Sequence, residues 1–139
     1  MVAPKNPYGS YANNKILTAS KEELTLMLYD GALKFCNQAI VALEAKNIEK
    51  TAELIARVQD IIREFQITLD MQYPISQELA DIYEYIHGRL VEARTHKKIE
   101  ILNEVRDLIR GLRDTWKEAM VLAKQQQAQP PRAQPKAKL

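Results

Sequence analysis

The sequence contains few of the residues from which cross-links, metal sites and phosphate loops are built. Its 139 residues include one cysteine, two histidines and four glycines. Because Cys36 is alone, an intramolecular disulfide and a thiolate cluster are excluded. Its place in LKFCNQAI, on a helical apolar stripe, indicates core packing. The glycines are scattered, so the chain has no glycine-rich loop of the kind that binds phosphate.

Long apolar runs are also missing. No stretch approaches the roughly 18 apolar residues of a membrane span, and no apolar segment follows the N-terminal lysine as it would in a secretory signal. We therefore expect a cytoplasmic protein without stable membrane insertion. At 139 residues the chain is long enough for one domain with a core of useful size.

Basic residues are in excess only in the C-terminal tail. The net charge is +2, yet residues 124–139 carry four basic side chains and no acid. Removing these four from the 20 basic residues leaves 16 basic against 18 acidic residues in the body. The tail cannot bury enough apolar surface to fold alone, so residues 127–139 are predicted to be disordered. Four dispersed charges do not indicate a nucleic-acid partner.

Strand-like alternation of apolar and polar residues is absent, and capping signals divide the chain into four helices. Ser20 and Glu23 form a capping box before an apolar run. Asn47 and Ser76 are predicted N-caps, and the YP dipeptide at 73–74 ends the helix before it. The predicted helices cover about residues 21–45, 48–71, 77–95 and, beginning at Thr95 or His96, up to about 126.

Each predicted helix carries apolar residues at steps of three and four, which places them on one stripe facing a partner helix. In the fourth helix these residues are Leu102, Val105, Ile109, Leu112, Trp116, Ala119 and Ala123. Because the connections are short, neighbouring helices must be antiparallel. The predicted fold is an all-α, antiparallel up-and-down four-helix bundle over residues 20–126, preceded by an extended segment at 1–19.

The first helix has more apolar surface than one bundle seam requires. Beside a complete seam, a second row contains Leu24, Leu28, Gly31 and Phe35 on a nearly opposite face. A glycine in this row indicates that another segment approaches the backbone there. Two interpretations stay open: the helix touches two neighbours at once, or the row forms a groove for a partner.

The stretch NPYGSY at residues 6–11 has no helical period, yet it carries Tyr8 and Tyr11. A tyrosine ring buries apolar area while its hydroxyl stays in water. If the row on the first helix is a groove, this stretch is suited to be its lid.

Motifs that would carry catalysis or hold a cofactor are incomplete. Glu84 and His87 form one Glu-x-x-His motif, whereas a di-iron bundle needs two of them and two further glutamates. The other histidine, His96, has Ala93 three residues before it. Cys36 and the serines have no evident histidine partner. We therefore expect no enzymatic activity, no metal and no cofactor.

Several short motifs follow one another in an order found in a known family. They are NPYGSY, TASKEELTLMLYDGALKF at 18–35, VQDII at 58–62, ITLD at 67–70, IYEYIHGRLVEA at 82–93 and VRDLIRGLRDTWKEAM at 105–120. In this order and spacing they resemble the flagellar export chaperones of the FliS family over about residues 6–123. The tail lies outside the resemblance.

The resemblance implies a cytoplasmic chaperone with an antiparallel four-helix bundle. Proteins of this family bind the disordered C-terminal segment of newly made flagellin, stop it polymerising and help deliver it to the flagellar type III export gate. The client wraps around the bundle, and the N-terminal segment can occupy part of the same surface. Without its client, such a chaperone could also form a homodimer. The alternative interpretation is a helical adaptor or homodimer, with no flagellin client, whose surplus seam pairs with itself.

Matching the family's motifs residue by residue gives candidate client-binding positions in three parts of the chain. We expect about half of them to contact flagellin and the others to lie in the core. The candidates are Tyr8 and Tyr11 in the lid, Leu24, Leu28, Tyr29 and Phe35 on the first helix, Ile62 and Leu69 on the second and Tyr83 on the third.

Overall fold

The computed structural model describes residues 18–128, which form four helices joined by short connections. Within this part of the chain there is no strand. Helix α1 packs against α2 and α4, and α3 packs against the same two helices, so the four form a closed ring. This confirms the predicted up-and-down bundle. The helices are α1 (Lys21–Glu44), α2 (Ile48–Thr68), α3 (Ile75–His96) and α4 (Ile99–Ala128).

Two of the three predicted N-caps, Ser20 and Asn47, are confirmed by their hydrogen bonds. The Ser20 hydroxyl accepts a hydrogen bond from Glu23 N at 3.1 Å, and the Glu23 carboxylate accepts one from Ser20 N at 2.8 Å. The Asn47 side chain accepts a bond from Lys50 N at 3.1 Å. These contacts satisfy amide groups that have no partner within the first turn of a helix.

The connection between α2 and α3 differs from the prediction. Helix α2 ends at Thr68 rather than near residue 71, because the Asp70 carboxylate accepts a bond from Gln72 N and so competes with the helix. Helix α3 begins at Ile75, so Ser76 is not its N-cap. Ser76 is instead buried, and its hydroxyl donates to the Asp70 carbonyl, which holds the connection against the bundle.

The connection between α3 and α4 was also predicted incorrectly. Thr95 and His96 end α3 instead of beginning α4. Lys97 then adopts a left-handed conformation with φ 55°, and its amide donates to Ala93 O at 2.8 Å. This is a common way to end a helix, and glycine usually takes the left-handed position because it has no Cβ. A lysine in that position gives no sequence signal for a helix end.

The core is a continuous column of apolar side chains from all four helices. Cys36 is fully buried and its Sγ donates to Leu102 O at 3.6 Å, which confirms its predicted core position. Burial raises the pKa of this thiol to about 12, so it stays protonated and a poor nucleophile. The largest fully buried side chains are Ile55, Ile62, Ile86, Leu90, Leu102 and Ile109.

The two ends of the bundle are different. At the closed end lie the tight turns between α1 and α2 and between α3 and α4. At the other, which we call the open end, α1 and α3 begin and α2 and α4 end. Trp116 Nε1 donates to Glu22 O at 3.0 Å, so Trp116 is level with the first turn of α1. Residues 117–128 of α4 therefore extend beyond α1, and we call them the overhang.

Candidate binding surface

The second apolar row of α1 lies along the seam with α2. A Cβ on Gly31 would lie 3.6 Å from Ile61 Cδ1, and the Arg57 guanidinium lies 5.5 Å from the centre of the Phe35 ring. Another segment therefore does approach Gly31, as predicted, and it is α2. Since α1 also packs against α4, it touches two neighbours at once. The row is only partly covered, because Leu28 and Phe35 are half-buried and Leu24 is 38% exposed.

The described candidates fall into three groups by exposure. Leu24 is exposed at the start of α1, whereas Leu28, Phe35 and Leu69 are half-buried against the core. Tyr29, Ile62 and Tyr83 are at most 4% exposed and form part of the core itself. The structure thus brings an accessible set together near the α1–α2 seam and puts a buried set beneath it. Tyr8 and Tyr11 lie outside the described residues.

An aromatic cluster forms the floor under this surface. The Phe65 ring lies between Tyr29 and Tyr83, with centroid distances of 4.4 Å and 5.4 Å. The two tyrosine hydroxyls are 2.8 Å apart and share a hydrogen bond between α1 and α3. Burial raises the pKa of both tyrosines above the ordinary value, because a phenolate would be poorly solvated there. The cluster ties α1, α2 and α3 together near the open end.

The raised pKa values of these tyrosines predict a loss of stability at alkaline pH. Below pH 10 both are neutral in the folded and unfolded chain, so their contribution is fully present. Above about pH 10 the unfolded chain loses these protons more readily than the folded chain does, and the free energy of unfolding falls by up to about 1.4 kcal/mol per pH unit for each tyrosine. Urea unfolding from pH 7 to 11 measures this fall.

The double variant Tyr29→Phe, Tyr83→Phe should be much less sensitive to alkaline pH. Removing both hydroxyls together leaves neither without its partner, so we expect little change at pH 7. Tyr73→Phe, which alters an exposed ring, is the matched control. An equal alkaline loss in the double variant would assign the effect to other groups.

Exposed apolar side chains collect at the open end. The part of the chain that the structure describes has eleven large apolar side chains that are exposed, and seven of them belong to this end. Tyr73 and Ile67 are the most exposed aromatic and aliphatic examples, at 61% and 70%. Exposed apolar side chains that gather in one region often mark interaction sites in soluble proteins. The seven are Leu24, Ile67, Met71, Tyr73, Ile75, Val121 and Leu122.

Sequence reasoning did not identify most of this patch. The sequence pattern places Ile67 and Met71 in the predicted second helix and Tyr73 in the dipeptide that ends it. A signal exists in the sequence, since AMVLA at 119–123 is an apolar run wider than one seam. Its meaning depends on how far α4 extends beyond its neighbours.

A charged network covers the α3–α4 seam on another side of the bundle. Arg89 contacts Glu104 at 2.7 Å and Glu92 at 2.9 Å, and the Tyr85 hydroxyl donates to Glu104 at 2.6 Å. The Tyr85 hydroxyl and then Arg89 hold the pKa of Glu104 below its usual value. These groups satisfy one another, so this side offers less apolar surface than the open end.

Cavities lie near the closed end of the bundle. The larger, of about 770 Å³, is bordered by Leu43, His96 and Lys98, and the other, of about 530 Å³, by Val41 and Leu54. Among residues 18–128, no three histidine, cysteine or acidic side chains are grouped so that they could hold a metal ion. None of the described helices combines the length and apolarity needed to cross a bilayer.

Comparison with known proteins identifies the family. The family model described as "Flagellar protein FliS" matches residues 4–124. The chain belongs to this family. It is 38% identical over 119 residues to the flagellar secretion chaperone FliS of Bacillus subtilis (strain 168), covering 86% of this chain and 90% of the relative. Membership places the chain among the flagellar secretion chaperones, as the motif order predicted.

More distant members and a solved structure agree with this assignment. The chain is 30% identical to the flagellar secretion chaperone FliS of Campylobacter jejuni, over 80% of this chain and 88% of the relative. For the protein of the same name from Escherichia coli (strain K12) the identity is 27%, over 76% and 80%. A solved structure described as a flagellar chaperone from bacteria has the same fold, with a TM-score of 0.68 at 16% identity over 81% of this chain and 94% of that one.

Gly31 provides a test of how tightly the bundle packs at the α1–α2 seam. A methyl group there would lie at an ordinary van der Waals distance from Ile61. Gly31→Ala should therefore raise the free energy of unfolding by about 1 kcal/mol, because alanine favours the helix. Gly111→Ala, with no heavy atom within 4 Å of its Cβ, should give a similar gain in urea unfolding. A loss at position 31 alone would show that α2 approaches more closely than this.

Proposed function

We propose that this protein is a cytoplasmic export chaperone that binds the disordered C-terminal segment of flagellin. Binding prevents premature polymerisation and assists delivery to the flagellar type III export gate. The observation that carries the proposal is membership of the flagellar secretion chaperone family over residues 4–124. The partly covered row on α1 and the exposed apolar residues of the open end support it physically.

A disordered client needs a wide apolar surface. The client loses conformational entropy when it becomes ordered, so it must bury enough apolar area to offset that cost. On this chaperone the accessible candidates Leu24, Leu28, Phe35 and Leu69 provide such area along the α1–α2 seam. We assign them to direct contact with flagellin. Tyr29, Ile62 and Tyr83 lie beneath them and act by holding that surface in shape.

Calorimetric titration with the C-terminal segment of flagellin from the same genome tests the proposal. We expect one-to-one binding with a negative heat-capacity change, because apolar surface is buried, and a gain of helix in the peptide. Because these contacts are apolar and not ionic, the affinity should depend only weakly on salt. An N-terminal flagellin segment of equal length is the control. Absence of binding at tens of micromolar would remove flagellin as the client and leave the fold unchanged.

The N-terminal segment, residues 1–19, is proposed as a lid over the row on α1. Tyr8 and Tyr11 would rest on the apolar surface and yield it to the client. A chaperone with this surface uncovered would tend to aggregate. Deletion of residues 1–15 should leave the helix content unchanged, raise hydrophobic-dye fluorescence severalfold and increase light scattering. The double variant Tyr8→Ser, Tyr11→Ser should reproduce most of the effect, and unchanged dye binding in both would contradict the lid.

A further inference from the structure

The first two turns of α1 contribute no buried side chain to the core. Every side chain from residue 21 to residue 28 is exposed or half-buried, and the first buried residue of the helix is Tyr29. These turns nevertheless carry Leu24 and Leu28, which we assign to the client. A helix end without buried contacts frays, because its backbone hydrogen bonds open to water at little cost in free energy. Contacts other than core packing must therefore keep these turns helical.

Trp116 of α4 makes one such contact, and it makes it with the backbone of α1. Its Nε1 donates to Glu22 O at 3.0 Å. A carbonyl oxygen has two lone pairs, so Glu22 O can accept this bond beside the one from its own helix. A bond to the backbone fixes the height and rotation of the whole turn, which a bond to a long side chain would not. The Trp116 ring is half-buried against the core, so the donor itself is held in place.

Two other contacts assist at the edges of this region. The capping box at Ser20 satisfies the first amides of α1, but it is local to the helix and does not attach it to a neighbour. Arg113, three residues before Trp116 on α4, contacts the Asp30 carboxylate at 3.2 Å. Asp30 is exposed, and an exposed ion pair contributes little. Trp116 is therefore the principal attachment of the first two turns to α4.

The client row and the contacts with α4 lie on different sides of α1. Glu22 precedes Leu24 by two residues, and Leu28 precedes Asp30 by two. Two residues correspond to about 160° around a helix, measured the shorter way. A substitution at Trp116 therefore leaves the client row itself unaltered. The N-terminal segment joins α1 at the same turn, so this turn must stay helical when the segment leaves the row.

We propose that Trp116 is a positioning residue for the client: through Glu22 O it holds the first two turns of α1 in place and presents Leu24 and Leu28 as a preformed row. The inference rests on the proposed function, because it takes these two leucines as client contacts. A preformed surface binds more tightly than one that becomes ordered during binding, since less entropy is lost. Trp116→Phe keeps an aromatic ring and removes the donor. It should weaken binding of the flagellin segment by about 2- to 10-fold, the range expected from one hydrogen bond.

Amide hydrogen exchange and calorimetric titration together test the proposal. In the Trp116→Phe chain the amides of residues 24–28 should exchange severalfold faster, whereas those in the middle of α3 should keep their rates. The flagellin C-terminal segment is the ligand for the titration. Ser20→Ala loosens the same turn by a different route, because it removes the N-cap, and should weaken binding to a similar extent.

Ile99→Ala is the control for a general loss of stability. It truncates a half-buried side chain of α4 at the closed end, so it should lower the free energy of unfolding. Binding and the exchange of residues 24–28 should stay nearly as they are. Unchanged affinity or unchanged exchange in Trp116→Phe would overturn the proposal, as would an equal loss of affinity in Ile99→Ala. If the unsubstituted chain binds no flagellin segment, the proposed function fails, and the exchange rates still decide whether Trp116 holds these turns.

Discussion

Replacing Phe65 by alanine is expected to lower the free energy of unfolding by about 3–5 kcal/mol, the usual cost of removing a buried phenylalanine. Phe65 is 6% exposed and its ring separates Tyr29 from Tyr83. Its loss would leave a cavity between three helices and weaken the support of the hydroxyl pair. Urea unfolding followed by circular dichroism measures the change.

Phe35→Ala is the matched control for this prediction. Phe35 is the only other phenylalanine in the chain, and it is half-buried at the α1–α2 seam beside Arg57. Its truncation should cost less than half as much stability, because part of the ring already faces water. Because we assign Phe35 to direct contact with flagellin, its truncation should instead weaken flagellin binding. Equal losses of stability in the two variants would contradict the division between floor and surface.

The double substitution Leu24→Glu, Leu28→Glu should weaken binding of the flagellin segment by about 100-fold or more. Apolar anchors at the centre of an interface each cost about 2 kcal/mol or more when removed, and a carboxylate adds desolvation. Leu24 is 38% exposed and Leu28 half-buried, so the helix should tolerate the change better than it would in the core. Calorimetric titration gives the affinity, and circular dichroism verifies folding.

Val91→Glu is the control for this loss of affinity, since it puts the same charge on an exposed apolar residue of α3. It should bind flagellin as the unsubstituted chain does. A change below about threefold in the α1 double variant would mean that the row is not the principal contact. Met71 and Tyr73 at the open end would then be the candidates for the principal contact with flagellin.

The predicted helices agree with the structure wherever local chemistry decides the outcome. Ser20 and Asn47 cap helices because their side chains reach amides three residues ahead, an interaction that needs no distant partner. The predictions fail at Ser76, which is not an N-cap, and at Thr95 and His96, which end α3 instead of beginning α4. The Ser76 hydroxyl donates a hydrogen bond to the Asp70 carbonyl, six residues earlier. Lys97 ends α3 in a left-handed backbone conformation, which residues with a Cβ rarely adopt.

Apolar residues that recur every three or four positions along a helix are not all buried. Ile109, Trp116 and Ala123 follow one another on the same stripe of α4, yet the first is buried, the second half-buried and the third exposed. Ile48 likewise continues the stripe of α2 and is 46% exposed at the closed end. A stripe shows which face of a helix is apolar, but burial requires a neighbouring helix at the same height.

The sequence by itself determined the fold class, the number of helices, the main core positions and the family, because periodicity, caps and motif order are local properties of the chain. Only the tertiary structure decided which candidates are accessible, since Tyr29 and Leu28 are adjacent in sequence and differ in the direction they point. It also decided that α4 extends beyond the start of α1 and that most of the exposed large apolar residues belong to one end of the bundle. Both depend on the relative heights of helices packed side by side, which are set by contacts between residues far apart in the chain.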